Sequence, residues 1–420
     1  MLNRLFDFID SSTDAYHTVE SVVRRLSSAG FERIYEGENN ELSEGGKYYV
    51  IRNGSSIIAF VNKTKANGFN IVASHSDSPA FRLKVSEKND GAYTRLETEK
   101  YGGMILYSWF DRPLSLSGRV LVRTENGIES VLVRFDRDVA VIPSLAIHLS
   151  RDVNSSFGPN PAVDLLPLFG NAGSSVSDLL ASAKELEGRE ILGHDLFLYN
   201  RAKALTFGAS GEFILAPRLD DLGCVFASLE GFLAASDSES IPVLAVFDNE
   251  EVGSETKQGA ASTFLYDVLS RIAGDRYSSM LASSFMISAD NAHAKHPAHP
   301  EMSDPSNAPL LNSGVVVKFN ANQRYTTDGL SYAYLKLMAE SAGIKLQTYC
   351  NRADLPGGST LGSIADTKVS VRTVDIGLPQ LAMHSAVETA GAADVAPMVD
   401  LLRTFYSSSF KEQGDEIVLE

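Results

Sequence analysis

The hydrophobic positions change period along the chain, and those changes divide it. Near the start, Val19, Val22, Val23 and Leu26 recur at the i, i+3, i+4, i+7 spacing of one helical face. Ser12 or Thr13 is placed to cap that helix and Gly30 to end it. Short β-branched runs over 56–61 and 70–73 predict strands. A second apolar stripe, Leu222, Val225, Phe226, Leu229 and Leu233, predicts a helix opened by Asp220 and Asp221. The runs 241–247, 284–289, 314–319 and 369–376 read as strands buried on both faces. Between the last two, Leu330, Tyr334, Leu337 and Met338 predict one helix face, stopped at Gly343, and a final helix is expected over 395–406. Strands alternating with helices imply an α/β layer architecture.

The middle of the chain reads differently. In GRVLVRTENGIESVLVRF, two alternating segments flank Asn126-Gly127, a hairpin signal. Strand and turn chemistry continues around a short Ser/Ala/Glu-rich stretch at 173–189. The expectation is an α/β domain made of 1–85 and 215–420, split by a β-rich insertion over 86–214.

Composition narrows the function classes. With 420 residues, two domains are expected. Lys+Arg 37 against Asp+Glu 53 gives a net charge of -16, which argues against a nucleic-acid partner. Apolar runs such as 241–247 are too short to span a membrane, and no signal peptide is readable at the start. Two cysteines, Cys224 and Cys350, exclude a disulfide framework and point to the cytoplasm, each read as a small buried hydrophobe.

Five places put acids or histidines just beyond an apolar strand or at a helix start: His75 with Asp77, Asp220-Asp221, Asp248 with Glu250 and Glu251, Asp290, and His384. In open α/β sheets, ligands bind beyond the carboxyl ends of the strands, so these groups could share one crevice. Imidazole and carboxylate donors without thiolates suit zinc or a related divalent ion in an open catalytic site. Five ligands exceed one catalytic metal and fit two, about 3.5–4 Å apart, if one carboxylate bridges. One member of the Glu250-Glu251 pair is then free to move protons. Each residue also has a plainer reading: a rim histidine, a solvated acidic turn, or Asp220 as a helix cap.

Other motifs are less specific. His293, His296 and His299 are separated by prolines that forbid a regular helix, and they read as a loop lining the site. Lys318 interrupts an apolar strand, with Tyr325 nearby, as a cation for a substrate carboxylate or as a snorkelling strand-end lysine. RADLPGGSTLG is a tight loop that matches neither phosphate-binding pattern. His148, in the insertion, reads as structural from position alone, and Trp109 as packing or interface.

The segments ASHSDSPAFRLK, YGGMILYSWFDRPLSLSGRV, RLDDLGC, FDNEEVGS, DNAHA, NANQRY, LPGGSTLG and AMHS occur in order, and with them the chain resembles the aspartyl aminopeptidase family of co-catalytic zinc exopeptidases. The resemblance implies a zinc-exopeptidase-like mixed sheet flanked by helices, an inserted β-rich dimerisation domain, and a dodecamer built from dimers. It implies two Zn²⁺ per subunit, replaceable by Co²⁺ or Mn²⁺: His75, Asp220 and Asp290 on one, Asp220, Glu251 and His384 on the other. Asp77 would orient His75, and Glu250 would be the general base for a water held between the metals. His148 would reach a neighbour's active site, with Lys318 and Tyr325 near the substrate. The implied reaction removes N-terminal Asp or Glu from peptides. Alternatives are the same chemistry on neutral or aliphatic residues, or a non-catalytic assembly protein, against which the full ligand set argues. Two departures bear on the substrate pocket: His296-Pro-Ala-His299-Pro-Glu replaces His-Pro-Asn-Tyr, and Ser144 stands where many members have histidine.

Overall fold

The apolar runs form the buried strands they predict in the computed structural model of the chain, which describes residues 1–89, 91–413 and 416–419. Nine strands make one mixed sheet in the order Glu32–Arg33, Lys47–Arg52, Ser56–Val61, Ser240–Phe247, Gly68–His75, Phe285–Ala289, Arg372–Gly377, Val315–Phe319, Leu346–Cys350. The strands from Ser240–Phe247 to Arg372–Gly377 are adjacent and parallel. Every residue of Gly68–His75 and of Ser240–Phe247 is buried, as parallel strands covered on both faces require.

Alternation along each strand decides which core a side chain enters. Val72, Leu244 and Val246 join the core closed by the helices Ala15–Ser28, Leu219–Leu233, Gly329–Ser341 and Val395–Tyr406. Ile71, Ala73, Val243 and Ala245 join the opposite core, under Phe264–Ala273 and Leu361–Ala365. At about 1.5–3 kcal/mol for each large apolar side chain removed from water, these two layers are what hold the strand ends in place.

Two helix readings change. The first long helix is capped by Asp14, whose carboxylate accepts from the N–H of Tyr16 and His17, rather than by Ser12 or Thr13. A preceding helix, Leu2–Ser11, adds to the predicted elements: Leu2, Leu5, Phe6 and Ile9 hold the same i, i+3, i+4, i+7 spacing, and Leu5, Phe8 and Ile9 are buried. In Gly329–Ser341 the buried face is Ser331, Tyr334, Leu335, Met338 and Ala339, while Leu330 and Leu337 are 47% and 54% exposed. That helix has apolar residues all round, so its period alone does not select the seam.

These elements belong to one compact unit of Met1–Asp77, Ala204–Met383 and Glu388–Glu420. It also holds a five-stranded sheet in the order Leu205–Phe207, Phe213–Ala216, Glu388–Gly391, Pro379–Leu381, Ala292–His293. A second unit comprises Ser78–Lys203 with His384–Val387. Its six-stranded antiparallel sheet runs Ile128–Arg134, Leu114–Arg123, Ile191–Asn200, Ala80–Asn89, Tyr93–Tyr101, Leu168–Asn171. The expected hairpin is present, Arg123 facing Ile128 across a turn in which Thr124 N–H donates to the Gly127 carbonyl at 3.0 Å. Trp109 is packing: it is buried, edge-on to Phe81 with ring centres 5.1 Å apart. No helix among the described residues is long and apolar enough to cross a membrane.

Candidate metal centre

Gly68–His75 lies between two parallel neighbours, so its last residue, His75, emerges beside the loops that leave their carboxyl ends. Ser240–Phe247 leads into Asp248–Glu251, and Phe285–Ala289 leads into Asp290. His75 is 1% exposed, and its N–H donates to Asp221 Oδ2 at 3.2 Å. Its Nδ1 is 3.1 Å from the Asp77 carbonyl oxygen and 3.4 Å from Asp77 Oδ1. That contact turns Nε2 toward Asp220 Oδ1 at 3.5 Å and Asp290 Oδ1 at 4.0 Å. Donor atoms of His75, Asp220, Asp221 and Asp290 lie within 4.8 Å of one another, and so do those of His75, Glu250 and Glu251.

Local backbone explains how the acids reach the site. Asp220 and Asp221 sit at the start of Leu219–Leu233 with non-helical φ/ψ, and Arg218 holds the cap position in the left-handed region. Asp220 is thus buried at the site instead of capping a helix. Glu250 and Glu251 open a 3₁₀ turn, Glu250–Val252, entered through Asn249 at φ 64, a conformation asparagine tolerates. The Asp77 carboxylate accepts from both N–H groups of this turn: Oδ1 from Glu250 and Oδ2 from Glu251, each at 3.2 Å.

Lys318 does not snorkel. It is 2% exposed, its Nζ donates to the Asn291 carbonyl at 3.0 Å, and it stands 3.5 Å from Asp290 Oδ2. Tyr325, also buried, places its ring 5.3 Å below the ammonium. His384 belongs to the second unit, where its Nδ1 is 3.0 Å from the Gly103 carbonyl. His148 is exposed in the same unit, next to Leu145, Ile147 and Leu149. Of the histidine-rich segment, His296 and His299 are exposed with ring centres 5.4 Å apart, and His299 Nδ1 is 3.1 Å from Glu301. Ser144 bonds to Asp111, its N–H at 2.9 Å and its hydroxyl at 2.6 Å.

The charges strain against one another. Burial pushes the Asp221 carboxyl well above the usual range, with Asp290 and Asp220 adding to the rise. Burial also raises Asp290, against the pull of Lys318. Burial lifts Glu250 to about 8, helped by Asp290, Asp77 and Asp220 and opposed by His75. Burial works against charge on His75, yet Asp221, Asp220, Asp77 and Glu250 hold it well above its ordinary value. Crowded oxygen donors with one imidazole, no thiolate and mutual repulsion are a donor set that a hard or borderline divalent cation satisfies. Asp221, which shares this cluster, was visible in the sequence only as the second half of a doubled aspartate.

Comparison with known proteins decides the family. The family described as Aminopeptidase I zinc metalloprotease (M18) matches residues 8–406. The chain belongs to the M18 family. It is 43% identical over 423 residues to the probable M18 family aminopeptidase 2 of Clostridium acetobutylicum, spanning 96% of this chain and 98% of that protein. It is 39% identical over 418 residues to the protein of the same name from Pseudomonas putida, spanning 96% and 97%. Among solved structures, the cryo-EM structure of the Ape4 and Nbr1 complex superposes at a TM-score of 0.92 with 38% identity, covering 96% of this chain and 85% of that one. The S. cerevisiae mApe1 dodecamer superposes at 0.83 with 28% identity, covering 96% and 95%. This M18 member is a zinc metallo-aminopeptidase, and its fold is the α/β fold of those enzymes.

Proposed function

We propose that this M18 enzyme cleaves the N-terminal peptide bond with two divalent ions, zinc foremost, and prefers Asp or Glu at the first position. The observation that carries the reading is the convergence of His75 Nε2, Asp220 and Asp290 beyond the ends of adjacent parallel strands. His75, Asp220 and Asp290 would hold one ion; Asp220, Glu251 and His384 the other, with Asp220 shared and His384 assigned by the family resemblance. Ions bound there would supply Lewis acidity to the scissile carbonyl and lower the pKa of water.

The remaining work falls to the chain itself. Glu250 takes the proton of the attacking water on its carboxylate and delivers it to the leaving amine nitrogen. Asp77 holds the backbone that aims Glu250, and its carbonyl fixes the His75 ring. The substrate's α-ammonium finds carboxylates at the site, which restricts attack to the first bond. Lys318 and Tyr325, with His148 from a neighbouring subunit, would meet an acidic side chain. A homo-oligomer, by analogy a dodecamer, is supported by the mApe1 dodecamer and by the exposed Leu145, Ile147 and Leu149 around His148. Two unpaired cysteines support a cytoplasmic home.

One observation favours the neutral-residue alternative: the Lys318 ammonium is already engaged by Asp290 and the Asn291 carbonyl. Matched peptides beginning with Asp, Glu, Leu or Lys separate the two readings, with bound zinc measured per subunit and a chelator control. Chelator-sensitive release of Asp and Glu well above Leu is expected. Preference for Leu would keep the chemistry and remove the acidic pocket; no release from metal-loaded protein would sink the enzymatic reading.

A further inference from the structure

The peptide group joining Leu219 to Asp220 is gripped at both ends. Its N–H donates to Glu388 Oε2 at 3.0 Å, and its carbonyl accepts from Asn291 Nδ2 at 2.7 Å. Gln380 spans the two grips: its Nε2 donates to Glu388 Oε1 at 3.5 Å, and its Oε1 accepts the other Asn291 Nδ2 proton at 2.8 Å. Asn291 Oδ1 in turn accepts from the Cys224 thiol at 3.1 Å. The three side chains are 1–3% exposed and are carried by the five-stranded sheet: Glu388 heads one strand, Gln380 lies in its neighbour, and Asn291 precedes a third.

We infer that Glu388, Gln380 and Asn291 form a clamp that sets the plane of the Leu219–Asp220 peptide and thereby aims the Asp220 carboxylate, making Glu388 a positioning residue for metal binding. The inference rests on Asp220 being a metal ligand. Hydrogen-bond polarity explains the residue types. Asp220 N–H and the Gln380 amide both point donors at position 388, so that residue must accept at both ends, which a carboxylate does and an amide cannot. Gln380 must then present its oxygen to Asn291, whose two protons go to Gln380 and to the Leu219 carbonyl. Because Asn291 directly follows Asp290, the same ring ties the backbone of two proposed ligands together.

The closed ring makes a sharp test possible. In E388Q one donor faces another, and in Q380E two carboxylates face each other across the gap. In the double variant E388Q/Q380E the polarity closes again: Gln at 388 accepts from Asp220 and donates to Glu at 380, which accepts from Asn291. Zinc affinity of the full-length protein would be measured by competition with a chelator. In parallel, hydrogen exchange of the Asp220 amide would be followed in metal-free protein. Each single variant is expected to bind zinc about 10–100-fold more weakly, the scale for partners that orient a ligand, with faster Asp220 exchange. The double variant should return to within a few-fold of wild type on both readouts. Single variants matching wild type, or a double variant that is unfolded or no better than the weaker single, would overturn the clamp. Wild-type-like zinc affinity with altered Asp220 exchange would leave the clamp standing and fault the ligand assignment instead.

Discussion

Asp77 offers the clearest test of how the site is braced. The family resemblance gives Asp77 the task of orienting the His75 imidazole. The distances divide the work otherwise. The His75 ring sits closer to the Asp77 backbone carbonyl, 3.1 Å, than to its carboxylate, 3.4 Å, while the two carboxylate oxygens receive the N–H groups of Glu250 and Glu251. In D77N one oxygen remains to accept one amide, and the new NH₂ confronts the other. A hydrogen bond to a charged group is worth about 1.5–3 kcal/mol, and at 3.2 Å the lower figure applies; an orphaned buried donor adds about 1–3 kcal/mol. Together they set a scale of about 3 kcal/mol for freeing the turn that aims Glu250.

If that free energy falls on the transition state, kcat should drop by about 100-fold. The ion proposed on His75, Asp220 and Asp290 should stay bound, since the carbonyl that holds His75 is untouched by the substitution. The ion proposed on Glu251 should weaken as its turn is freed. Steady-state kinetics on the zinc-loaded variant, paired with metal analysis, checks both halves. A kcat within threefold of wild type would refute the bracing role. Loss of both ions together would return the carboxylate to His75 and refute the division of labour.

The same geometry sets three further outcomes. Glu250→Gln should lower kcat by about 10²–10⁴ with zinc still bound and little change in KM, and near-normal turnover would remove Glu250 as the base. Lys318→Met leaves Asp290 without its cation, so metal-free protein should lose about 3–5 kcal/mol and regain part of it with zinc; equal melting temperatures for variant and wild type would show the contact contributes nothing. Asp366, away from the metal cluster, is raised by burial from an ordinary 3.8 to about 7, against a hydrogen bond from Thr373. The folded state therefore keeps the proton more tightly, so this group's stabilisation is complete below pH 3.8 and lost as pH rises past 7. A rise of about three pH units at ~1.36 kcal/mol each sets a ceiling of about 4 kcal/mol. Wild type should lose stability relative to D366N between about pH 4 and pH 8 in urea unfolding, and parallel pH profiles would contradict the assignment.

The range of the interactions decides which features are legible in the sequence and which are hidden. Continuous apolar runs such as Ile241–Phe247 announce strands buried on both faces, and an acid directly after such a run is exposed to the crevice by the sheet's own geometry. That is why His75, Glu250, Glu251 and Asp290 could be picked out. The Asp14 cap was missed because Ser12, Thr13 and Asp14 are equally good capping types in consecutive positions. The seam of Gly329–Ser341 was missed because Leu330 and Leu337 share the period of the buried residues. Nothing local marks Glu388, Gln380 or Asn291: their meaning comes from strand pairing such as Gln380 with Ala390, which brings together groups far apart in the chain.

The same contrast bears on why so acidic a centre belongs in a folded protein at all. Burial raises the protonation range of Asp221, Glu250 and Asp290, with Asp220 adding to each rise, and among the described residues Lys318 pairs with Asp290 alone of these acids. Repulsion of this kind costs folding free energy unless the groups are protonated or a cation sits among them. The clamp inferred behind the cluster adds no cation: Gln380 and Asn291 are neutral amides, and Glu388 is itself an acid. A lysine or arginine there would relieve the repulsion and, by the same act, weaken the attraction for a divalent ion. Bracing an acidic site without a cation keeps its appetite for metal intact, and metal that binds the folded but not the unfolded chain then returns the cost as stability.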